Sequence, residues 1–187
     1  MEMTILFNEI PFNQFSQSLL DEAKKALSNI SNKDFEKRSE NDLFDGVFKE
    51  YELEMPELNE SKIFQKGPED VGNNNTKFEF VIPIKEGTKT LLTVLPTNHS
   101  TTKPEGSLQS DGVHCIYIKT NNFTTANINT EFRNNVRQLA KYLEWLKADV
   151  NEYNKNLKSL ISTTIQHRKE KAQRDKGDAE SFEFPVK

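Results

Sequence analysis

His114 and Cys115 form the residue pair with the most obvious chemical potential, because imidazole and thiolate groups bind zinc and can act as base and nucleophile. The apolar residues around the pair predict a strand, and neighbouring side chains of a strand point to opposite faces of its sheet. The two side chains therefore cannot bind one metal ion together. We expect Cys115 to be a buried structural cysteine. A catalytic Cys–His pair would require His99 or His167 to fold back beside it.

A second candidate constellation joins the segment Pro68-Glu69-Asp70 to Glu79. Metal-dependent nucleases of the restriction type carry an acidic residue and then an Asp/Glu-x-Lys sequence on a strand, where the lysine stabilises charge. Here Val81 stands at the lysine position, so we expect Glu79 to be an outward-facing strand residue. The sequence contains neither a Gly-rich phosphate loop nor a Gly-x-Ser-x-Gly elbow. We therefore assign no catalytic residue, no metal and no cofactor.

Two long polar segments, residues 57–76 and 97–112, are the candidate ligand-binding loops, since long connections tend to be functional or disordered. A hairpin predicted from Lys77–Ile84 and Thr88–Leu95 would bring both loops to one end of a sheet. The alternative is that neither loop has a role. The residues that these loops would bring together are Lys66, Glu69, Asp70, His99, Lys103, Glu105 and Asp111.

Two charge patterns have simple explanations. Glu50, Glu52 and Glu54 alternate with apolar residues, which predicts a solvated strand face, although a cation or a basic partner is an alternative. The basic run over residues 168–176 also contains acidic residues, so a solvated helix end is favoured over a phosphate-binding surface.

The composition limits the classes of function. Of the 187 residues, 34% are hydrophobic and 29% are charged, which indicates a small core with polar loops or a projecting helix. The net charge of −4 argues against general nucleic-acid binding, while a local basic patch stays open. One cysteine excludes an intramolecular disulfide, and the N-terminal sequence resembles neither a signal peptide nor a membrane span. We expect a cytoplasmic protein with no membrane partner.

Hydrophobic periodicity predicts the elements that must position these residues. Residues 12–30 have apolar positions three and four apart, typical of an amphipathic helix, and a short helix could follow Ser31. Strands are predicted over residues 50–56, 77–84, 88–95 and 113–119.

The C-terminal third carries a heptad seam, with apolar residues at alternating spacings of three and four. Such a seam predicts self-association or binding of a partner helix. Packing within the chain, against residues 12–30 or across the sheet, is the alternative. The interaction residues of this seam are Val136, Leu139, Leu143, Leu146, Val150, Tyr153, Leu157 and Leu160.

The same region resembles a poorly characterised N-terminal module that precedes effector domains, often TIR domains, in bacterial anti-phage defence proteins. The resemblance rests on Tyr142-Leu143-x-Trp145, Asp149-Val150-x-x-Tyr153-Asn154-x-x-Leu157 and Arg168-Lys169. The terminal Phe184-Pro185-Val186-Lys187 is similar to the junction that leads to the effector in that family. The resemblance implies a sensing or scaffolding role and carries over no catalytic residue.

Together these patterns predict an α+β fold with an N-terminal helix, a mostly antiparallel four-stranded sheet and a long, coiled-coil-like C-terminal helix. The expected organisation is a helix plus sheet over residues 1–127, a long helix over 128–176 and a tail or junction over 177–187. We expect a non-enzymatic binding or assembly module with a protein partner, in a bacterial cytoplasmic system such as anti-phage defence. The alternative is a small metal-dependent nuclease or other hydrolase that uses the two loops.

Overall fold

The chain has an α+β fold with antiparallel strand pairs and a long C-terminal helix, as the sequence predicts. The computed structural model describes residues 5–181. The chain divides into two compact units. The first comprises Met1–Phe15 and Leu53–Asn151, and the second comprises Ser16–Glu52 and Glu152–Lys187. This division differs from the predicted boundaries at residues 127 and 176.

The first unit contains a five-stranded sheet and a separate pair of short parallel strands. In the larger sheet, β4 pairs with β2, β3 and β7, and β7 also pairs with β6, all of them antiparallel. The short strands β1 and β5 pair in parallel. The strands are β1 Ile10–Pro11, β2 Glu57–Leu58, β3 Phe64–Gly72, β4 Asn75–Glu86, β5 Val94–Leu95, β6 Ser107–Gln109 and β7 Gly112–Lys119.

The hairpin between β3 and β4 is set by its turn. Asn73 and Asn74 both have positive φ angles, 54° and 60°, and their flanking residues Gly72 and Asn75 are paired. Two central residues with positive φ define the turn whose twist matches antiparallel strands, and asparagine tolerates that conformation better than most residues. The segment 57–76, predicted to be a loop, therefore contains β3 and forms the hairpin with β4.

The predicted hairpin between residues 77–84 and 88–95 is wrong. After β4 the chain turns at Gly87, whose φ is 94° and where an added Cβ would lie 2.2 Å from the Met55 carbonyl oxygen. A short 3-10 helix, Lys89–Leu92, follows and buries Leu91 and Leu92. The chain thus leaves the sheet, and β5 pairs with β1 instead.

The predicted strand at residues 50–56 is also wrong. The helix Glu40–Tyr51 occupies its beginning, and the remaining residues lie outside any strand. Ser39 and Asp42 form a capping box that fixes the start of this helix, and Leu43 and Val47 are buried four residues apart on one face. Helical spacing over the preceding residues therefore outweighs the short alternation of glutamates.

The second unit is helical. Its helices are α1 Phe12–Ser28, α2 Asn32–Lys37 and α3 Glu40–Tyr51, and the first turn of α1 belongs to the first unit. The helix α1 confirms the predicted N-terminal helix, and α2 is the short helix expected after Ser31, whereas α3 is not predicted. The Arg168 side chain donates a hydrogen bond to the Ile30 carbonyl just after the end of α1. Tyr153 donates to the Tyr51 carbonyl at 2.9 Å, and burial raises the pKa of Tyr153 to about 12, so this hydroxyl remains a donor at neutral pH.

One helix, α4 Thr125–Glu180, supplies residues to both units. It has no break at the asparagines near residue 151, and it continues past the predicted end at 176. From Leu139 onwards, its buried positions recur on average every 3.7 residues, close to the period of a straight helix and longer than a 3.5-residue heptad. These positions are Leu139, Tyr142, Leu146, Val150, Tyr153, Leu157, Ile161 and Ile165.

The predicted seam is thus only partly solvent-accessible. Five of its residues, Leu139, Leu146, Val150, Tyr153 and Leu157, are buried. The other three, Val136, Leu143 and Leu160, are half-buried. Intramolecular packing therefore accounts for most of the apolar pattern.

Candidate functional site

A cluster of four charged side chains lies in the sheet of the first unit. Strand register brings three of them together, because Lys66 of β3 pairs with Glu79 of β4, and His114 of β7 pairs with Val81, two residues further along β4. Asp111 comes from the turn between β6 and β7. We call Lys66, Glu79, Asp111 and His114 the charged cluster.

His114 is the centre of the charged cluster. Its Nδ1 lies 2.6 Å from Glu79 Oε1, and its Nε2 lies 2.6 Å from Asp111 Oδ1. Lys66 Nζ donates to Glu79 Oε1 at 2.7 Å and lies 3.4 Å from His114 Nδ1. The His114 side chain is fully buried, so the imidazole ring is held between two carboxyl groups away from solvent.

The cluster lowers the pKa of both carboxyl groups. The hydrogen bond from Lys66, followed by the one from His114, lowers the pKa of Glu79. The hydrogen bond from His114 is the main cause that lowers the pKa of Asp111. Both groups are therefore carboxylates at neutral pH, the form that accepts the hydrogen bonds of the cluster.

This arrangement suits a structural role, in which the side chains hold strands together, better than proton transfer to a substrate. A general base must reach a substrate proton, but both His114 nitrogens are engaged and the ring has no exposed surface. Within residues 5–181, no group of three His, Cys, Asp or Glu side chains could hold a metal ion. The His114 imidazole instead links β7 to β4 and to the β6–β7 turn.

The structure brings two of the seven predicted loop residues together at His114. Lys66 and Asp111 both contact His114, which the sequence does not predict because the pairing of β3 with β4 sets that proximity. Asp70 accepts from the Gly72 amide in the hairpin turn, and His99 Nδ1 lies 3.1 Å from the Pro96 carbonyl. Lys103 donates to Asn8.

The structure adds one residue of the kind that the nuclease hypothesis requires. Lys66 supplies the amine beside Glu79 that the sequence lacks at Val81. Glu69 does not join them, because it pairs with Lys77 at 2.9 Å. Glu79 is not the simple outward-facing residue that we expected, since only 17% of its side chain is exposed.

Cys115 lies on the other face of the sheet from His114, as strand alternation predicts. It is buried, and Asn135 of α4 donates to its sulfur at 3.3 Å. Burial raises the pKa of the thiol to about 12, which opposes formation of the reactive thiolate. The same face carries Phe80, which stacks on Phe132 of α4 with ring centroids 4.5 Å apart.

The sheet face that bears the charged cluster also exposes apolar side chains. Phe64 pairs with Val81 and Ile118 pairs with Lys77, so both share a face with Glu79. Phe64 is 47% exposed and Ile118 is 48% exposed. We call this surface, defined by Phe64, Lys66, Lys77, Glu79 and Ile118, the open face.

No protein-family model, curated protein or solved structure matches the chain. The resemblance to the module that precedes TIR-type effectors therefore stays a prediction. Across the part of the chain that the structure describes, no helix combines the length and apolarity needed to span a bilayer.

Proposed function

We propose that the protein is a non-enzymatic binding and assembly module that docks a protein partner on the open face. The setting that the sequence resemblance implies is a bacterial cytoplasmic defence system, with an effector protein as the partner. The observation that supports docking is the pair of half-exposed apolar side chains, Phe64 and Ile118, on the face that carries the charged cluster.

The open face has the composition of a contact surface. Phe64 and Ile118 are offset by about 13 Å in the direction of β4, because their partners on that strand are four residues apart. They lie on the two strands that flank β4, Phe64 on β3 and Ile118 on β7. Charged side chains lie between them, and Lys66 and Lys77 are already paired with Glu79 and Glu69. A partner could therefore bury the two apolar side chains without leaving those charges unpaired.

The test replaces both apolar residues by serine, as Phe64→Ser with Ile118→Ser, in the native gene cluster of the source bacterium. We expect loss of phage protection and of effector association, with an unchanged melting temperature of the purified protein. Val71→Ser is the matched control, since Val71 is 43% exposed at the end of β3, outside the defined face. Full protection by the double variant would contradict docking on this face.

The second candidate function is a hydrolase that acts through the charged cluster, and the Lys66–Glu79 contact favours it. Purified protein would be assayed on nucleic acids and phosphodiesters, with and without Mg²⁺ or Mn²⁺. Turnover by the original protein that is lost in Glu79→Gln would favour the hydrolase over the binding module. Equal background rates for both proteins would support the module.

A further inference from the structure

A polar cleft in the first unit lies between the segment 102–105 and the N-terminal half of α4. It encloses about 420 Å³, within the usual range of small-molecule sites. Its floor includes Tyr117 of β7, whose side chain faces α4 and not the open face. The lining residues that carry the argument are Thr102, Lys103, Glu105, Glu131, Arg137 and Gln138.

The wall formed by residues 102–105 is fastened by contacts on both sides. Asn135 of α4 accepts from the Glu105 amide at 2.8 Å and donates to the Glu105 carbonyl at 2.6 Å. The Leu6 amide donates to the Pro104 carbonyl, and the Tyr142 hydroxyl donates to the Ser100 carbonyl at 2.7 Å. The backbone of this segment is thus held in one position, which fixes the points from which its side chains reach the cleft.

The cleft contains charges of both signs. Lys103 and Arg137 contribute cations, and Glu105 and Glu131 contribute carboxylates. None of the four takes part in a salt bridge among the described residues. The Lys103 ammonium donates a hydrogen bond to the Asn8 side-chain oxygen. A guanidinium nitrogen of Arg137 lies 3.4 Å from Asn134 Oδ1, which is a long contact. These side chains therefore keep capacity for a ligand that carries both charges.

Gln138 adds an unsatisfied polar atom. Its Oε1 is buried, and no group of the described residues donates to it. Buried polar atoms are nearly always hydrogen-bonded, so an exception at the edge of a cleft indicates a missing donor. Rotation of the terminal amide would turn either its oxygen or its nitrogen towards a ligand.

We propose that this cleft binds a small zwitterion of the amino-acid class. Its carboxylate would meet Lys103 and Arg137, and its ammonium would meet Glu105 and Glu131. Thr102 and Gln138 would supply hydrogen bonds to the remaining polar atoms. This proposal depends neither on docking at the open face nor on the resemblance, because the cleft lies beside α4 and not on the open face.

The experiment is calorimetric titration of the full chain with the free amino acids, each compared with its N-acetyl and its amide derivatives. We expect at least one free amino acid to bind. Each derivative, which removes one of the two charges, should bind about tenfold or more weakly, the loss expected for one charge-assisted hydrogen bond.

Variants of the cleft complete the test. Arg137→Gln and Glu131→Gln should each weaken binding by about tenfold or more. Lys147→Gln and Glu144→Gln, which change exposed residues of α4 outside the cleft lining, should bind like the original chain. Absence of binding by every free amino acid at millimolar concentration would overturn the proposal. Equal binding of the neutral derivatives, or unchanged affinity in both cleft variants, would also overturn it.

Discussion

At the scale of single residues, the buried imidazole of His114 is the most consequential feature. A buried polar group is costly unless it is hydrogen-bonded, and His114 has a carboxyl group on each ring nitrogen. Removing the Glu79 carboxylate would leave a buried ring nitrogen and the Lys66 ammonium without their shared partner, so the cost exceeds the net value of the hydrogen bonds. The charged cluster therefore makes the sheet sensitive to changes at Glu79 that would be harmless on a solvated strand.

Acid should destabilise the protein through this cluster. The pKa values of Glu79 and Asp111 are lowered by folding, so their contribution to the free energy of unfolding is present above the ordinary carboxyl pKa. It is lost as the pH falls through the lowered values. We expect Glu79→Gln to cost about 1–3 kcal/mol at pH 7 and to flatten the decline of stability below about pH 4.

Urea unfolding at a series of pH values measures both effects. Glu69→Gln is the control, because Glu69 is an exposed partner of Lys77 on the same hairpin. This substitution should lower the free energy of unfolding by less than about 1 kcal/mol. An identical acid profile for Glu79→Gln and the original chain would show that the cluster does not govern the pH dependence.

Cys115 should behave as a structural thiol. Burial and a pKa raised to about 12 both oppose attack on a thiol reagent. We expect no labelling by Ellman's reagent in the native state and one equivalent after unfolding in urea. Rapid stoichiometric labelling of the folded protein would contradict this.

At the scale of elements, the long helix α4 shows why a heptad pattern can mislead. Leu146 is buried, whereas Leu143, three residues earlier on the same predicted seam, is half-buried. Tyr142 takes the buried position instead, and its ring lies 5.1 Å from that of Phe7. The helix therefore packs with a straight-helix period, and the seam residues differ in what they contribute.

Alanine substitutions should separate these contributions. We expect Leu146→Ala to lower the free energy of unfolding by about 2–5 kcal/mol, because it leaves a cavity in a packed core. Leu143→Ala should cost clearly less, since part of that side chain already contacts solvent. Urea denaturation of both variants is the measurement, and equal losses would argue for a true heptad interface over both positions.

At the scale of the whole molecule, two compact units share one continuous helix, with the division between Asn151 and Glu152. The first unit holds the charged cluster, the open face and the cleft, and the second holds α2, α3 and the C-terminal half of α4. The candidate chemistry and the proposed contact surface are therefore both properties of the sheet-containing unit.

The seam hypothesis predicts self-association of the whole chain. It now rests on the three residues that remain partly accessible, Val136, Leu143 and Leu160. Light scattering at about 50 µM, well above the dissociation constants of most stable dimers, should show a mass above that of a monomer. Leu143→Asp should restore the monomer with little change in melting temperature.

The serine variants of the open face provide the comparison for this experiment. If they dissolve the assembly and Leu143→Asp does not, the open face and not the seam holds the copies together. A monomer at this concentration, with no protein partner recovered in association with it, would contradict the assembly proposal through either surface.

Sequence alone predicts the features that depend on local pattern. Apolar spacing predicts α1, the α+β class and the long C-terminal helix, and alternation places His114 and Cys115 on opposite faces of β7. These features follow from side-chain geometry within a few residues, so no distant partner is needed to predict them.

Only the tertiary structure decides which strands pair. The positive φ angles of Asn73 and Asn74 turn a polar segment into β3, and the turn at Gly87 directs the next apolar segment out of the sheet. The charged cluster depends on that pairing, because Lys66 and Glu79 are thirteen residues apart and His114 lies thirty-five residues beyond Glu79. Strand register is a long-range property, set by the packing of both sheet faces. Residues 57–76 carry a local signal for the turn at Asn73 and Asn74, but not the apolar alternation that would predict β3.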